Sequence, residues 1–141
     1  MSIRSLRTIV ARQAAVTARR SNSVLEAARM MKARDVGALM VVDGTRLVGI
    51  FTERDALFRV LAEGRDPQAT QLGEVMTTQP PTIHPDAPFI EALRIMHRGR
   101  FRHLPGVEFD RPLGMVSVRD ALDDDLADLR AALEQQEDSP Y

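Results

Sequence analysis

Two short segments of the chain share a pattern that could hold a phosphate and a sugar. Gly-Ile-Phe-Thr-Glu-Arg-Asp ends at Asp55, and Gly-Met-Val-Ser-Val-Arg-Asp ends at Asp120. Where a strand leads into a helix, unpaired amides and the partial positive charge of the helix N-terminus favour phosphate, and the hydroxyl of Thr52 or Ser117 can hydrogen-bond it. The aspartates are acceptors suited to the vicinal hydroxyls of a ribose. For each segment alone, a helix N-cap followed by a first-turn acidic residue is the favoured explanation.

These segments close a longer internal repeat with an offset of 65 residues, in which positions 17–57 align without a gap on positions 82–122. Unrelated chains would share only about one position in sixteen. The identical pairs include Thr17/Thr82, Glu26/Glu91, Ala27/Ala92, Arg29/Arg94, Met31/Met96, Leu39/Leu104, Val42/Val107, Arg46/Arg111, Gly49/Gly114 and the run Arg-Asp-Ala-Leu that ends at Leu57 and Leu122. Two copies favour a paired module over an open array, and we expect the copies to share one core.

One repeat reads as strand, helix, strand, strand, helix. Ser23 and Glu26 form a capping-box pattern that predicts a reciprocally capped helix start. The apolar runs 38–42 and 47–51, joined by Asp-Gly, predict a β-hairpin. The remaining expectations are an apolar helix stripe at Val24, Ala27, Ala28 and Met31, a first strand at residues 16–18, and a last helix that buries Leu57, Phe58 and Leu61.

The predicted fold class is therefore α+β, with two pseudo-symmetric β-α-β-β-α repeats packed into one module and a helix at the C-terminal end. We assign residues 6–63 to the first repeat, 64–71 to a linker, 72–122 to the second repeat and 123–141 to a C-terminal helix with a frayed tail. Short apolar helices that include Leu6 and Leu72 are expected to lead into the two repeats.

Bulk properties exclude several classes of protein. The formal net charge of −1 gives no reason to expect nucleic acid or a membrane as a partner. The absence of cysteine excludes disulfides and thiolate metal sites. No run approaches 18 apolar residues, and arginines interrupt any signal-peptide core, so we expect a cytoplasmic protein.

The whole pattern resembles a tandem pair of CBS domains, named after cystathionine β-synthase. The resemblance covers residues from about 6 to 122. Its carriers are the repeat order, Glu-Ala early in each long helix, and the two Gly-x-x-Thr/Ser-x-x-Asp endings. The sequences Arg-Phe-Arg-His-Leu-Pro, which begins at Arg100, and Val-Met-Thr, which ends at Thr77, are typical of stand-alone bacterial members.

The resemblance implies two symmetry-related clefts for adenosine-containing ligands such as AMP, ADP, ATP, NAD(H) or S-adenosylmethionine. A cleft in this family combines the hydroxyl and aspartate of one repeat with the early strand of the other. Carried over, Ser117 and Asp120 would face Thr17, Ala18, Val36, Gly37 and Ala38, while Thr52 and Asp55 would face Thr82, Ile83 and the segment from Phe101 to His103. Backbone groups and apolar walls would hold the base.

Arg54, Arg102, His103 and Arg119 are candidates for neutralising phosphates, since arginine can bind a phosphate through two parallel hydrogen bonds. Arg98, Arg100, Arg102 and His103 form a cluster whose counterparts in the first repeat carry no positive charge. We therefore expect unequal clefts, of which the arginine-containing one prefers more phosphate.

Other chemistry is not expected. The three histidines, His84, His97 and His103, lack metal-ligand spacing, and three consecutive aspartates from Asp123 read as a solvated helix start, so no metal is predicted. No nucleophile has a matched base, so an enzyme, for example a small hydrolase, is not expected, and neither is a catalytic cofactor.

We expect instead a non-catalytic sensor that binds an adenine nucleotide and regulates a separate, unknown protein. The leucine stripe Leu122, Leu126, Leu129 and Leu133 favours a helix that contributes to a homodimer, although the helix could also lie back on its own domain. The alternatives left open are a structural or interaction module with degenerate clefts and a binder of S-adenosylmethionine.

Overall fold

The fold was analysed in a computed structural model that describes residues 5–12, 15–120 and 131–135. Helix α1 (Leu6–Arg12) comes first. The first repeat then consists of β1 (Thr17–Ala18), α2 (Val24–Arg34), β2 (Ala38–Asp43), β3 (Arg46–Thr52) and α3 (Glu53–Asp55), which continues as a π-helix over Ala56–Leu61. The expected order of elements in the first repeat and the α+β fold class are confirmed, whereas the strand expected at Thr82 and Ile83 is only an isolated bridge from Ile83 to Gly106.

The second half contains α4 (Leu72–Val75), β4 (Thr77–Thr78), α5 (Phe89–Gly99), β5 (His103–Glu108) and β6 (Arg111–Ser117). Residues 118–120 and 131–135 are also helical. Strand β4 was not expected from the sequence. It pairs antiparallel with β3, which gives one sheet of order β1-β2-β3-β4 beside a two-stranded sheet of β5 and β6.

The strand register repeats at the same offset as the sequence. The matching features are Ala38 opposite Thr52 and His103 opposite Ser117, a bulge after Val41 and after Gly106, and parallel pairing of Ala18 with Val41 and of Ile83 with Gly106. Helices α2 and α5 both end on a left-handed residue, Asp35 at φ 52° and Arg100 at φ 58°. The internal repeat is therefore a structural repeat as well.

The start of α2 follows half of the capping-box prediction. Ser23 Oγ accepts a hydrogen bond from the Glu26 N–H at 3.0 Å. The Glu26 carboxylate does not return to the serine amide, because its Oε2 accepts from the side-chain amide of Asn22 at 2.6 Å. The serine cap alone therefore fixes the first turn.

The buried side chains form two clusters, so the expectation of one shared core is wrong. The first cluster gathers Leu39, Val41 and Phe51 of β2 and β3 with Leu72 and Val75 of α4. The second gathers Ile83, Ala92, Met96, Leu104 and Val116 with Leu6, Ile9 and Val10 of α1. Each repeat thus completes its core with the helix that precedes the other repeat.

The outer faces of the strands are also buried. Ala38, Met40 and Ile50 alternate with the residues of the first cluster and are buried as well. On this side β3 contacts β6, and the Leu47 N–H donates to the Asp110 carbonyl at 3.1 Å. The two hairpins therefore pack against each other.

The last helix of the first repeat does not bury the predicted residues. Leu57, Phe58 and Leu61 are 49%, 52% and 72% exposed, whereas Val60 is 3% exposed. The prediction assumed 3.6 residues per turn, but residues 56–61 form a π-helix with i to i+5 hydrogen bonds, which turns different positions inward. An apolar surface is left open, and of the predicted leucine stripe only Leu133 lies within the described residues, where it is half exposed.

The hairpin turn of the second repeat is unusual. Phe109 and Asp110 have φ values of 53° and 63°, as both central residues of a type I′ turn require. Gly44 holds the corresponding position in the first repeat at φ 63°. Phe109 is 92% exposed, so no packing offsets the cost of a left-handed backbone at a bulky residue.

Candidate functional site

The two hydroxyl-and-aspartate motifs share a cap in which the aspartate carboxylate accepts from the backbone N–H three residues earlier. Thr52 Oγ1 accepts from the Asp55 N–H, and Asp55 Oδ2 accepts from the Thr52 N–H, both at 3.1 Å. In the second motif, Asp120 Oδ2 accepts from the Ser117 N–H at 2.7 Å. Asp55 and Asp120 are 7% and 6% exposed. Each carboxylate therefore caps the start of a helix, whether or not it also binds a ligand.

The glycine of each motif permits close contact with a segment that precedes the other repeat. This segment is β4 for Gly49 and α1 for Gly114. A β-carbon added at Gly49 would lie 2.8 Å from the Thr77 carbonyl oxygen, and one at Gly114 would lie 2.7 Å from the Val10 carbonyl oxygen. Side chains cannot be accommodated at such distances without a backbone shift. The two motif glycines thus allow β4 and α1 to pack closely against the strands.

A cleft of about 540 Å³ joins the two repeats beside Ser117. Seven of the predicted site residues line it: Val36, Gly37, Ala38, Arg102, His103, Ser117 and Arg119. Seven further residues were not predicted: Ala15, Val16, Asp35, Met40, Glu53, Met115 and Val118. The cleft thus combines the second motif with the early strands of the first repeat.

Thr17 and Ala18 do not line this cleft. Their strand β1 pairs with β2, and the Ala18 side chain is buried in the first core. The chain immediately before the strand, at Ala15 and Val16, contributes the wall instead. Nothing in the sequence indicated that Ala18 would pair with Val41. The position of β1 relative to the cleft could therefore not be predicted.

In each repeat, one backbone hydrogen bond holds the entry to the hairpin's first strand beside the motif of that repeat. The Glu53 N–H donates to the Gly37 carbonyl at 2.9 Å, and the Val118 N–H donates to the Arg102 carbonyl at 3.1 Å. A β-carbon at Gly37 would lie 3.1 Å from Glu53 Oε1 and 3.3 Å from His103 Nε2. A carboxylate of one repeat and an imidazole of the other therefore approach each other in the cleft.

The cleft contains charges of both signs. Arg102 and Arg119 are exposed along it, as are Asp35 and Glu53. Burial lowers the pKa of His103, and Arg102 lowers it further, while Glu53 acts in the opposite direction. Because burial is the largest of these effects, His103 is mainly neutral at pH 7 and can accept a hydrogen bond or a proton from a ligand.

The first motif has different surroundings. The Thr77 hydroxyl donates to the Asp55 carboxylate, 3.3 Å from Oδ1, and Arg59 Nε lies 3.5 Å from the same oxygen. Arg59 Nη1 also donates to the carbonyls of Val75 and Met76, at 3.3 and 3.0 Å.

Other predicted residues lie around this motif or within the second core. The Arg54 guanidinium stacks over the Phe58 ring, 5.1 Å from its centroid. Thr82 is exposed, and Ile83 is buried in the second core. Thr52, Asp55 and Asp120 do not line the 540 Å³ cleft.

The structure divides the predicted arginine cluster between two surfaces. Arg98 and Arg100 line a more open groove of about 830 Å³, together with Phe101. Arg102 lines both the groove and the cleft, and His103 lines the cleft. The residues come from different elements: Arg98 lies on α5, Arg100 ends that helix in a left-handed conformation, and His103 begins β5.

A second cluster of polar side chains was missed because it depends on tertiary contacts. His84, Asp86 and Glu108 offer ligand atoms within 4.8 Å of one another. Arg7 of α1 donates from Nη2 to both carboxylates, 3.0 Å from Asp86 Oδ1 and 3.0 Å from Glu108 Oε2. In this structure the cluster fastens α1 to the second repeat.

Among the residues that the structure describes, no helix is long and apolar enough to cross a membrane.

Known relatives carry the same repeat. The chain matches the CBS domain family over residues 6–62 and 72–127. The CBS domain-containing protein YhcV of Bacillus subtilis is 36% identical over 100 residues, 71% of each chain. The Arabidopsis thaliana protein CBSCBSPB2 is 38% identical over 122 residues, which are 86% of this chain and 23% of that protein, so this chain spans only part of its length.

Solved structures share the fold. A hexameric CBS-CP12 protein from bloom-forming cyanobacteria is 27% identical, with a TM-score of 0.76, over 86% of this chain and 68% of that chain. A CBS domain protein of Pyrobaculum aerophilum, solved in complex with AMP, has a TM-score of 0.74 at 23% identity, over 84% of this chain and 89% of that chain. CBS domain proteins are regulatory modules. Because two segments of the chain match the family and the structure repeats with them, the chain belongs to the CBS domain family and is a tandem pair of CBS domains.

Proposed function

We propose that this tandem pair is a non-catalytic regulatory module that binds an adenosine-containing ligand, AMP, ADP, ATP or NAD(H), in the cleft beside Ser117. The observation that carries the proposal is the cleft itself, which joins both repeats and has room for a nucleotide at about 540 Å³. Ligand binding there would bridge the repeats, and a bridge can favour one relative arrangement over another.

The polar groups of the cleft suit the sugar and phosphate. Ser117 would donate to a phosphate oxygen, and Asp120, which is buried next to the cleft residue Arg119 and does not itself line the cleft, would accept hydrogen bonds from the ribose hydroxyls. Arg102, Arg119 and His103 would neutralise phosphate charge. Of these, His103 would do so by taking up a proton.

The apolar groups suit the base. Val36, Met40 and Met115 line the cleft, and a polarizable thioether packs well against an aromatic ring. The Pyrobaculum protein with the same fold binds AMP, which supports this ligand class. The mixed charges also leave room for S-adenosylmethionine, whose sulfonium group could face Asp35 or Glu53.

Isothermal titration calorimetry with AMP, ATP, NADH and S-adenosylmethionine tests the proposal. We expect at least one to bind, and Asp120→Asn to weaken it by about 10- to 100-fold, since a hydrogen bond to a charged group contributes about 1.5–3 kcal/mol. Asp43→Asn at the exposed end of β2 is the control with the same change of charge. No binding of any compound at millimolar concentration would contradict the proposal.

The second candidate is a structural or interaction module with degenerate clefts. One observation favours it: the carboxylates of both motifs already serve as helix caps. In that case added nucleotide would leave the melting temperature unchanged, because there would be no ligand linkage.

We also propose that the chain acts as a homodimer that signals to a separate protein. Leu57, Phe58 and Leu61 are large apolar side chains exposed on one helix, and exposed apolar patches mark interaction sites. Sedimentation velocity should show a dimer, and Leu61→Arg should shift it to monomer. A wild-type monomer at micromolar concentration would contradict this part of the proposal.

A further inference from the structure

The open groove on the second repeat combines arginine and apolar side chains. It measures about 830 Å³ and is formed by α5, the turn into β5 and Val118. It is lined by Arg98, Arg100 and Arg102 and by the apolar residues Leu93, Met96 and Phe101. Of the described residues that line the groove, none is acidic, whereas acidic side chains are present in the cleft. The groove therefore attracts negative charge.

The three arginines of the groove are free to bind a partner. All three are exposed. Arg7 and Arg65 each form an ion pair with a carboxylate, but within the described part of the chain Arg98, Arg100 and Arg102 form none. A guanidinium can bind a carboxylate through two parallel hydrogen bonds, and arginine is enriched among the residues that contribute most to protein interfaces.

Phe101 gives the groove an aromatic wall. A β-carbon added at Gly99 would overlap the Phe101 ring, so the ring lies directly against the last residue of α5. Gly99 does not have a positive φ, so glycine is needed there for the close contact and not for the backbone conformation. The half-buried ring can contact an apolar side chain of a partner.

The fold does not require these side chains, because the first repeat lacks them. At the repeat offset, Ala33, Asp35 and Gly37 correspond to the three arginines, and Val36 corresponds to Phe101. Helices α2 and α5 nevertheless have 11 residues each, and both end on a left-handed residue. The basic and aromatic residues thus indicate a function that belongs to the second repeat alone.

The shape and charge of the groove favour an acidic protein segment over other anions. A small-molecule site encloses most of its ligand, but the groove is more open than the cleft and larger, at about 830 against 540 Å³. Nucleic acid requires an extended basic surface, and the net charge of this chain is −1. An acidic segment with a large apolar side chain would use both the arginines and Phe101.

We infer that the groove binds an acidic segment of the protein that this module regulates, with carboxylates on Arg98 and Arg100 and an apolar side chain against Phe101. Arg102 and Val118 line both the groove and the cleft. A phosphate in the cleft would engage Arg102 and weaken the bound segment, and by linkage the segment would weaken phosphate binding equally. The inference rests on the proposed function, which supplies the regulated protein and the phosphate-bearing ligand.

Fluorescence anisotropy with a labelled peptide of repeated Glu-Glu-Leu units tests the groove at low salt, where exposed charges are least screened. The peptide should bind, and its Gln-Gln-Leu counterpart should bind about tenfold more weakly or less. Arg98→Met and Arg100→Met should each weaken the acidic peptide about two- to fivefold, as expected for an exposed ion pair. Gly99→Ala should weaken it about fivefold, because it displaces the Phe101 ring without changing any charge.

The matched control is Arg94→Met, which removes an exposed arginine of the same helix outside the groove and should leave peptide affinity unchanged. Thermal unfolding identifies a variant that does not fold. If displacement of the ring unfolds Gly99→Ala, the exposed variants Arg98→Met and Arg100→Met carry the test.

The coupling to the cleft has its own measurement. Saturating AMP should weaken the acidic peptide about two- to fivefold, whereas adenosine, which has no phosphate, should not. In Arg102→Met the effect of AMP on the peptide should disappear, because the shared guanidinium is gone.

The outcomes separate the inference from the function on which it rests. Absence of peptide binding, equal binding of the neutral peptide, or an equal loss in Arg94→Met would overturn the inference. So would a single-stranded oligonucleotide that binds the groove more tightly than the peptide, or self-association of the chain that Arg98→Met and Arg100→Met abolish. Unchanged peptide affinity in saturating AMP would overturn the coupling alone. Absence of any nucleotide binding would overturn the coupling and the proposed function, and peptide binding would still support the groove.

Discussion

The two repeats share the same pattern of backbone hydrogen bonds. They differ in the side chains that surround the hydroxyl-and-aspartate motif. Both pair their hairpin strands in the same register, bulge at the same position and begin the last helix with an aspartate cap. Yet Asp55 is held by Arg59 and Thr77, while the second motif borders a cleft of about 540 Å³. Backbone geometry has thus been kept while the side chains around it have diverged, so a duplicated motif need not keep the same surroundings.

The largest effect concerns which helix completes which core. Leu6 and Leu72 are both fully buried, but each belongs to the core of the other repeat. Leu6→Ala and Leu72→Ala should each lower the free energy of unfolding by about 2–5 kcal/mol, as measured by urea denaturation. Hydrogen exchange should rise first in β5 and β6 for Leu6→Ala, and in β2 and β3 for Leu72→Ala. The opposite distribution would show that each helix packs against the core of the repeat that follows it.

The next effect concerns phosphate. Arg102 lines the cleft and corresponds to Gly37 in the first repeat. Arg102→Met should weaken AMP by about tenfold, near 1.4 kcal/mol, and ATP by more, because ATP carries more charge. Adenosine binding should change little. Arg94→Met, on the exposed side of α5, is the control, and an equal loss in that variant would point to general electrostatics.

A smaller effect concerns the two hairpin turns. Phe109→Asn should stabilise the protein by about 1 kcal/mol, since asparagine tolerates a positive φ better than phenylalanine does. Gly44→Ala in the first repeat should destabilise it by about the same amount. Thermal unfolding of both variants measures the difference. If Phe109→Asn destabilised the protein, Phe109 would have a partner in solution.

The smallest effect concerns the pH dependence of ligand affinity. It arises from His103 of the second repeat, because the corresponding residue of the first repeat, Ala38, cannot titrate. Burial lowers the pKa of His103 in the free protein, and a bound phosphate would raise it again, so binding takes up a proton. Affinity for a phosphate should therefore rise as the pH falls below about 6.5, by at most about tenfold per pH unit for one proton.

The comparison of wild type with His103→Gln at each pH isolates this proton. It cancels the titration of the ligand phosphate, whose own pKa is about 6. The charged groups beside His103 in the cleft are Asp35, Glu53, Arg102 and Arg119. Calorimetry in two buffers of different ionisation enthalpy measures the uptake, and equal pH profiles for the two proteins would assign it elsewhere.

Local features of this fold could be predicted from the sequence. The 65-residue correspondence gave the element order, and Ser23 marked the start of α2. Seven predicted residues line the cleft, since a resemblance carried over position by position locates strand starts well.

Features that depend on distant contacts could not be predicted. Nothing local to Leu6 indicates that its core lies around Val116, and nothing in Arg59 indicates that it reaches Val75 and Met76. Leu57 and Phe58 looked like core residues because an exposed apolar residue and a buried one have the same chemistry. The π-helix that turned them outward left no sequence signal.

Helices α1 and α4 each complete the core of the other repeat, so the order of synthesis limits when each core can form. Helix α1 is translated first, yet Leu6 packs against a core that includes Val116, about a hundred residues later. During translation the first repeat must therefore wait only for α4, whereas α1 stays without its partner until β6 has left the ribosome. Such distant contacts form late and slowly. The half of the protein that is made last decides when the first helix can fold into place.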